Sequence, residues 1–245
     1  MPFYMIYSQS MKAERDRRNF DWTKEEKKCN KTTPEQILAT VVLEVKANPN
    51  DREAVWKFEQ EYWKIYKKIV GKEIIIDPPP PNLTSQKIKE MDDAKKMILY
   101  IPKEITNTDI TKMFPEIPGW INGKNSKVVD PTPQHGWIKA EASFLAPRLN
   151  KNPEGVQNEL KVDDSKIISI KELAIAINRS SLMRRMPFDT TKFTHIRDKA
   201  MDKSGLVSKT TSFHAGVRKD GTFDIRMSRK DFHNKEVGIR TVQKL

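Results

Sequence analysis

The residues best suited to chemistry in this chain are arginines, and they crowd one end. Eight of the thirteen arginines fall within residues 179–245. That stretch holds 16 Lys+Arg against 7 Asp+Glu, a net of +9 within a chain of +12, so residues 1–178 carry +3. The guanidinium is planar, permanently charged and forked, which matches the oxygens of a phosphate. The candidate phosphate contacts are Arg179, Arg184 and Arg185 near the end of an expected helix, Arg197 after it, and Arg218, Lys219, Arg226, Arg229 and Lys230 on and beside an expected hairpin. Two plainer readings stand beside this one: a solvated cationic surface, and a patch that meets an acidic protein. Cations near a helix C-terminus also stabilise the helix by themselves.

The other reactive side chains form no known pattern. His135, His195, His214 and His233 all lie more than four residues apart, which gives no metal-ligand spacing. Asp130, His135 and Glu141 would do acid–base work only if the fold brought them together. Lys139 precedes Glu141, the reverse of the acidic-then-lysine order of some metal-dependent nucleases. Gly119 to Lys124 has three residues between its glycines and Asn125 after its lysine, whereas a phosphate-binding loop needs four and Ser or Thr. Cys29, set among Lys24, Lys27, Lys28 and Lys31, has the cations that activate a thiol but no second cysteine or nearby histidine. No catalytic residue, metal ligand or cofactor is therefore assigned.

The totals narrow the class. At 245 residues, 37% apolar and 32% charged, the chain has room for one large domain or two small ones with polar stretches. A lone cysteine rules out an intramolecular disulfide and suits a reducing compartment. No apolar run nears the roughly 20 residues that span a bilayer. Pro2–Tyr7 is too short for a signal-peptide core, so a cytoplasmic location is expected, with no membrane partner.

These side chains must be carried by elements that the pattern predicts. Residues 8–31 are polar and are either a helix or flexible. Thr33-Pro34 with Gln36 opens a helix that ends at Asn48-Pro49-Asn50. Asp51 caps a second helix to about Gly71, whose stripe is Val55, Phe58, Tyr62, Ile65 and Ile69, widened by Trp56, Trp63 and Tyr66. The two form a helical hairpin, and Trp56, Trp63 and Tyr66 are its candidate partner-binding aromatics. The hairpin has some features of a tetratricopeptide junction, but no second copy follows. Pro78–Pro81 reads as a stiff spacer, giving an N-terminal helical region over 1–77, a linker over 78–83 and a mixed region over 84–245.

Beyond the prolines, the pattern predicts a short charged helix over 84–96, a strand Met97–Ile101, a helix from Thr106 or Asn107 through Phe114, and loop over 115–135. Gly136–Phe144 alternates as a strand. Ser169 with Glu172 forms a capping box, and Ile168 with Leu173 a hydrophobic staple. A three-residue loop Lys219-Asp220-Gly221 sets Val217 opposite Phe223, Ala215 opposite Ile225 and Phe213 opposite Met227. Ser212, His214, Asp224, Arg226 and Ser228 then share the outward face.

Leu99-Tyr100-Ile101-Pro102, Phe114-Pro115 with Gly119-Trp120, Gly136 to Ser143 with Ala146-Pro147, and Phe213, Asp220-Gly221 and Gly238-Ile239-Arg240 together resemble an uncharacterised group of bacterial proteins over about residues 97–245. The resemblance implies a bacterial, intracellular α+β domain and transfers no activity. The expected fold is α+β, a helical hairpin followed by a mixed domain with a small antiparallel sheet. The expected function is a non-enzymatic binding or accessory protein that touches nucleic acid, DNA or RNA, at its phosphates. The alternatives are a protein–protein adaptor in a bacterial complex and an enzyme of unrecognised type.

Overall fold

Helix starts are the most local instruction in this sequence, and they are obeyed. The computed structural model describes residues 34–115, 117–118, 121, 126–143, 146–151, 153–162, 164–183, 193–217, 223–229 and 235–245. Helix α1 spans Pro34–Ala47; its expected cap, Thr33, lies outside the described residues. Helix α2 spans Arg52–Val70, with the Asp51 carboxylate accepting from the Glu53 amide and Gly71 closing it in the left-handed conformation (φ 69°). Helix α3 is Ser85–Asp93, capped by Thr84. Helix α4 is Asn107–Met113, where Thr106 and Asp109 form a capping box. Two more helices follow, α5 over Pro153–Val162 and α6 over Ile170–Leu182. The Ser169–Glu172 box opens α6, with Ile168 and Leu173 both buried beside it.

Ten strands are described. They are β1 (Lys96–Ile101), β2 (Ser126–Val129), β3 (Gly136–Glu141), β4 (Lys166–Ile167), β5 (Phe193–Ile196), β6 (Lys199–Asp202), β7 (Thr211–Val217), β8 (Phe223–Arg229), β9 (Val237–Ile239) and β10 (Thr241–Lys244). They form two four-stranded sheets, β1-β3-β10-β4 and β8-β7-β5-β9, and a two-stranded ribbon, β2-β6. All pairs are antiparallel except β5 with β9. The protein is thus α+β, with a helical hairpin followed by a mixed region. It is richer in strands than the small sheet expected, and one of them falls within the expected loop over 115–135.

The helical hairpin and the sheets share a large apolar core that runs from Leu38 and Phe58 through Ile101 and Leu173 to Phe213 and Val242. The proline run and the Asp77 before it are tied to side chains from both sides of the run in sequence. Arg52 donates to the Pro79 carbonyl (2.5 Å), Trp137 Nε1 to the Asp77 carbonyl (2.9 Å) and Tyr100 Oη to the Asp77 carboxylate (2.8 Å). Two departures from the expected α2 stripe follow from this packing. Ile69 is left partly exposed, while Glu59 is buried because β1 and α6 cover its side of α2, and Glu61 is buried as well.

The β7–β8 register is the expected one, with Val217 opposite Phe223, Ala215 opposite Ile225 and Phe213 opposite Met227; the loop between them lies outside the described residues. The second face of this hairpin is not the solvated one expected. Ser212, His214 and Asp224 are buried. Ile239 of β9, level with His195, packs with Val156 and Leu160 of α5, so a helix covers the β9 edge of that side.

Gly238 sits where no side chain fits. A Cβ there would lie 2.5 Å from the Pro147 carbonyl oxygen and 2.8 Å from Ala146 Cβ. The same carbonyl accepts from the Ile239 amide (2.7 Å), so the close approach holds β9 in place. Gly238→Ala is expected to destabilise the protein by about 1–3 kcal/mol in urea unfolding. Gly155→Ala, in α5 with open space around it, is expected to be neutral or to stabilise by up to about 1 kcal/mol. Equal effects at the two sites would contradict the packing argument.

Candidate functional site

The expected phosphate-contacting cations divide into three groups. Arg197 is internal. Its Nε and Nη2 grip Asp130 (2.8 and 2.6 Å), Nη1 and Nη2 grip Glu172 (2.8 and 2.6 Å), and Nη1 also donates to the Ile167 carbonyl (2.7 Å). These contacts use all five guanidinium N–H donors, so none remains for a phosphate. Burial would lower the Arg197 pKa, but the two carboxylates outweigh it and hold the group more firmly charged than usual.

Arg179 is internal too. Its Nη2 pairs with Glu59 Oε1 (2.6 Å), and its guanidinium lies 3.6 Å from the ring centre of Phe58 and 4.7 Å from that of Tyr62. The Glu59 carboxylate also accepts from the Tyr100 amide and from Trp63 Nε1, both at 3.1 Å. Burial pushes its pKa up to about 6 against the pull of Arg179. This pair ties α2 to β1 and α6. The two arginines are therefore no part of an outer face. Their positive charge faces carboxylates upstream of residue 179, which lowers the surplus that the C-terminal stretch shows to solvent.

Arg226 and Arg229 remain on the surface, both on β8, the edge strand of its sheet. Arg226 lies over the Phe193 ring at 4.3 Å and pairs with Asp224 (2.8 Å), with more than half its side chain exposed. Lys203, Lys209 and Lys235 are exposed in neighbouring segments. Arg184, Arg185, Arg218, Lys219 and Lys230 lie outside the described residues, as do Cys29 and His233.

The aromatic candidates for a partner groove are placed inward. Trp63 and Tyr66 are buried, Tyr66 against Phe114. Tyr62 and Tyr66 both donate to Asn178 Oδ1 (3.0 and 3.3 Å). Trp56 is half-buried. These rings hold the helical hairpin to α4 and α6, and their burial removes Trp63 and Tyr66 as an exposed contact surface.

The acid–base trio is not assembled. Glu141 ends β3, at the opposite end from His135, roughly 20 Å along the chain direction. It pairs with Arg148 (2.9 Å) and accepts from the Thr241 amide (2.8 Å). Asp130 instead joins a polar centre that periodicity could not reveal, because its members come from four separate segments of the chain. Beside Arg197 and Glu172 lies Asp198, fully buried, accepting from the Ile170 amide (2.7 Å) and from Asn107 Nδ2 (3.3 Å). Lys171 is buried and donates to the Ile105 carbonyl (3.1 Å). Burial lowers the Lys171 pKa, and burial together with Lys171 lowers that of His135. The only advance signal was the Ser169–Glu172 capping box, which identified Glu172 as a cap but not as a partner of Arg197. Among the described residues no three His, Cys, Asp or Glu side chains group as metal ligands, and no helix is long and apolar enough to cross a membrane.

Compared with protein-family models, curated proteins and solved structures, the chain matches none.

Burial first, and the Asp130 charge second, push the Asp198 carboxyl up to about 7. The folded state therefore binds a proton that the unfolded chain, with its ordinary value near 3.8, has already lost. Ionised Asp198 costs stability progressively as pH rises from about 4 to 7. Asp198→Asn keeps an acceptor for the Ile170 amide and cannot ionise. Its stability relative to wild type is expected to be near zero at pH 4 and to become increasingly favourable up to pH 8, read by urea unfolding across pH. A difference independent of pH would contradict the buried, proton-holding Asp198.

Proposed function

We propose that the protein is a non-enzymatic binding or accessory protein whose basic C-terminal face contacts nucleic-acid phosphates. The observation that supports this reading is the pair of exposed arginines on one edge strand, Arg226 and Arg229, in the segment with the chain's +9 surplus. The contact set is smaller than composition suggests, since Arg179 and Arg197 are taken up inside. A guanidinium resting on an aromatic ring keeps its orientation, and Asp224 takes only the Nε–Nη2 edge of Arg226, which leaves its outer donors suited to phosphate. Contacts of this kind give affinity without sequence choice. A cytoplasmic site of action goes with the reading.

An adaptor for an acidic protein would use the same cations, with the half-buried Trp56 but neither Trp63 nor Tyr66 available on the aromatic helix. The test is fluorescence anisotropy with labelled single- and double-stranded DNA and RNA across salt. Binding is expected to weaken steeply as salt rises. Arg226→Glu with Arg229→Glu is expected to weaken binding at least about tenfold at low salt and to flatten the log–log salt slope by about 2. Absent binding at low salt removes the nucleic-acid reading and favours an acidic protein. Full binding by the double variant removes this face.

A further inference from the structure

His195 and His214 are register partners on adjacent antiparallel strands, β5 and β7, and point to the same face of their sheet. Both are buried, His195 completely. Their rings stand 6.2 Å apart at 75°. His214 Nδ1 lies 3.4 Å from Ser228 Oγ, and the Phe193 ring meets His214 edge-on at 5.6 Å. Neither ring nitrogen of His195 has a hydrogen-bond partner. A buried imidazole with both nitrogens unmet is a weak point, because burying an unpaired polar group costs free energy and burying an unpaired charge costs more.

The surroundings offer a proton no welcome. Lys199, at the start of β6, is the cation that acts on His195, and Arg226 on β8 acts on His214. Asp224 is the carboxylate that acts on His214, and it is held by Arg226. From the other side, β9 and α5 present Ile239, Val156 and Leu160, all apolar. Among the described residues no carboxylate pairs with His195.

We propose that the His195–His214 pair is an acid-sensitive latch: neutral, it lets the two strands close, and protonated, it opens that face of the β8-β7-β5-β9 sheet. His214 lies on β7, which pairs with β8, the strand that carries Arg226, so mild acid would loosen the same sheet that the proposed phosphate-contacting face belongs to. The inference stands on the burial and pairing of the histidines, and it holds whether or not that face binds nucleic acid.

The sign follows from linkage. Burial first, then His214 and Lys199 for His195 and Arg226 for His214, holds both rings near 4 against an ordinary value of 6.5. An opened chain takes up protons between those values and the closed one does not, so closure weakens as pH falls from 6.5 towards 4. Asp198 works in the opposite sense, so the informative quantity is wild type relative to a variant. Amide hydrogen exchange on β5 and β7, corrected for intrinsic rates, is read at pH 7.5 and 5.0 for wild type and His195→Leu. Protection of the wild type relative to the variant is expected to fall roughly ten- to thirtyfold between the two pH values. A constant ratio overturns the proposal. Should His195→Leu fail to fold, an NMR titration of the imidazoles in the wild-type protein decides. Rings that stay neutral down to the pH at which the sheet opens support the latch, and rings that titrate at 6.5 or above with the sheet intact overturn it.

Discussion

Two carboxylates and one carbonyl converge on the Arg197 guanidinium, and the C-terminal half of the fold is arranged around that convergence. Asp130 comes from the end of β2, Glu172 from the first turn of α6, the Ile167 carbonyl from β4, and Arg197 itself from the turn between β5 and β6. The Arg197 amide also donates to the Ile168 carbonyl (3.1 Å). One side chain thus links the β2-β6 ribbon and both four-stranded sheets to the start of the central helix. A cation buried this deeply is stable only when its donors are all met, and the five contacts meet them. Glu172 reaches Arg197 while its Oε2 still accepts from the Ser169 amide (2.9 Å), so the helix cap and the ionic centre form as one unit.

A second buried pair does similar work on the other side of the molecule. Glu59 and Arg179 join α2, β1 and α6, and the rings of Phe58 and Tyr62 cover the guanidinium. The two pairs change the meaning of the net charge. A high arginine count near the C-terminus describes the chain, while the face shown to solvent depends on which arginines are matched inside. Subtracting Arg179, Arg197 and the buried Arg240 leaves Arg226 and Arg229, with nearby lysines, as the exposed cations of the described segment. The functional reading rests on these, and it is a reading of surface electrostatics rather than of a catalytic centre.

What the sequence revealed was local. Asp51, Thr106 and Ser169 cap their helices because a short polar side chain meets free amides two or three residues on, a geometry complete within one turn. The β7–β8 register followed from side-chain alternation across a short loop. The rest depended on contacts between distant parts of the chain. Strand β9 pairs in parallel with β5 more than forty residues away, which no hairpin logic predicts. His195 meets His214 only because β5 inserts beside β7, and β5 has four residues of mixed character. Glu59 sat visibly on the apolar side of α2, between Phe58 and Tyr62, and a charge in that place was the one hint of a buried partner. The polar centre around Asp198 gave no such hint, since its residues are spread over ninety positions.

The central claim is that Arg197 acts as an internal tie and not as a surface cation. The most direct measurement is a double-mutant cycle in urea unfolding with Arg197→Met and Glu172→Gln, alone and together. Each single change strands a buried partner, so the account predicts losses of about 3–5 kcal/mol for Arg197→Met and a coupling of at least about 2 kcal/mol between the two sites. Losses below about 0.5 kcal/mol that simply add would contradict it and return Arg197 to the solvent-facing charge of the protein.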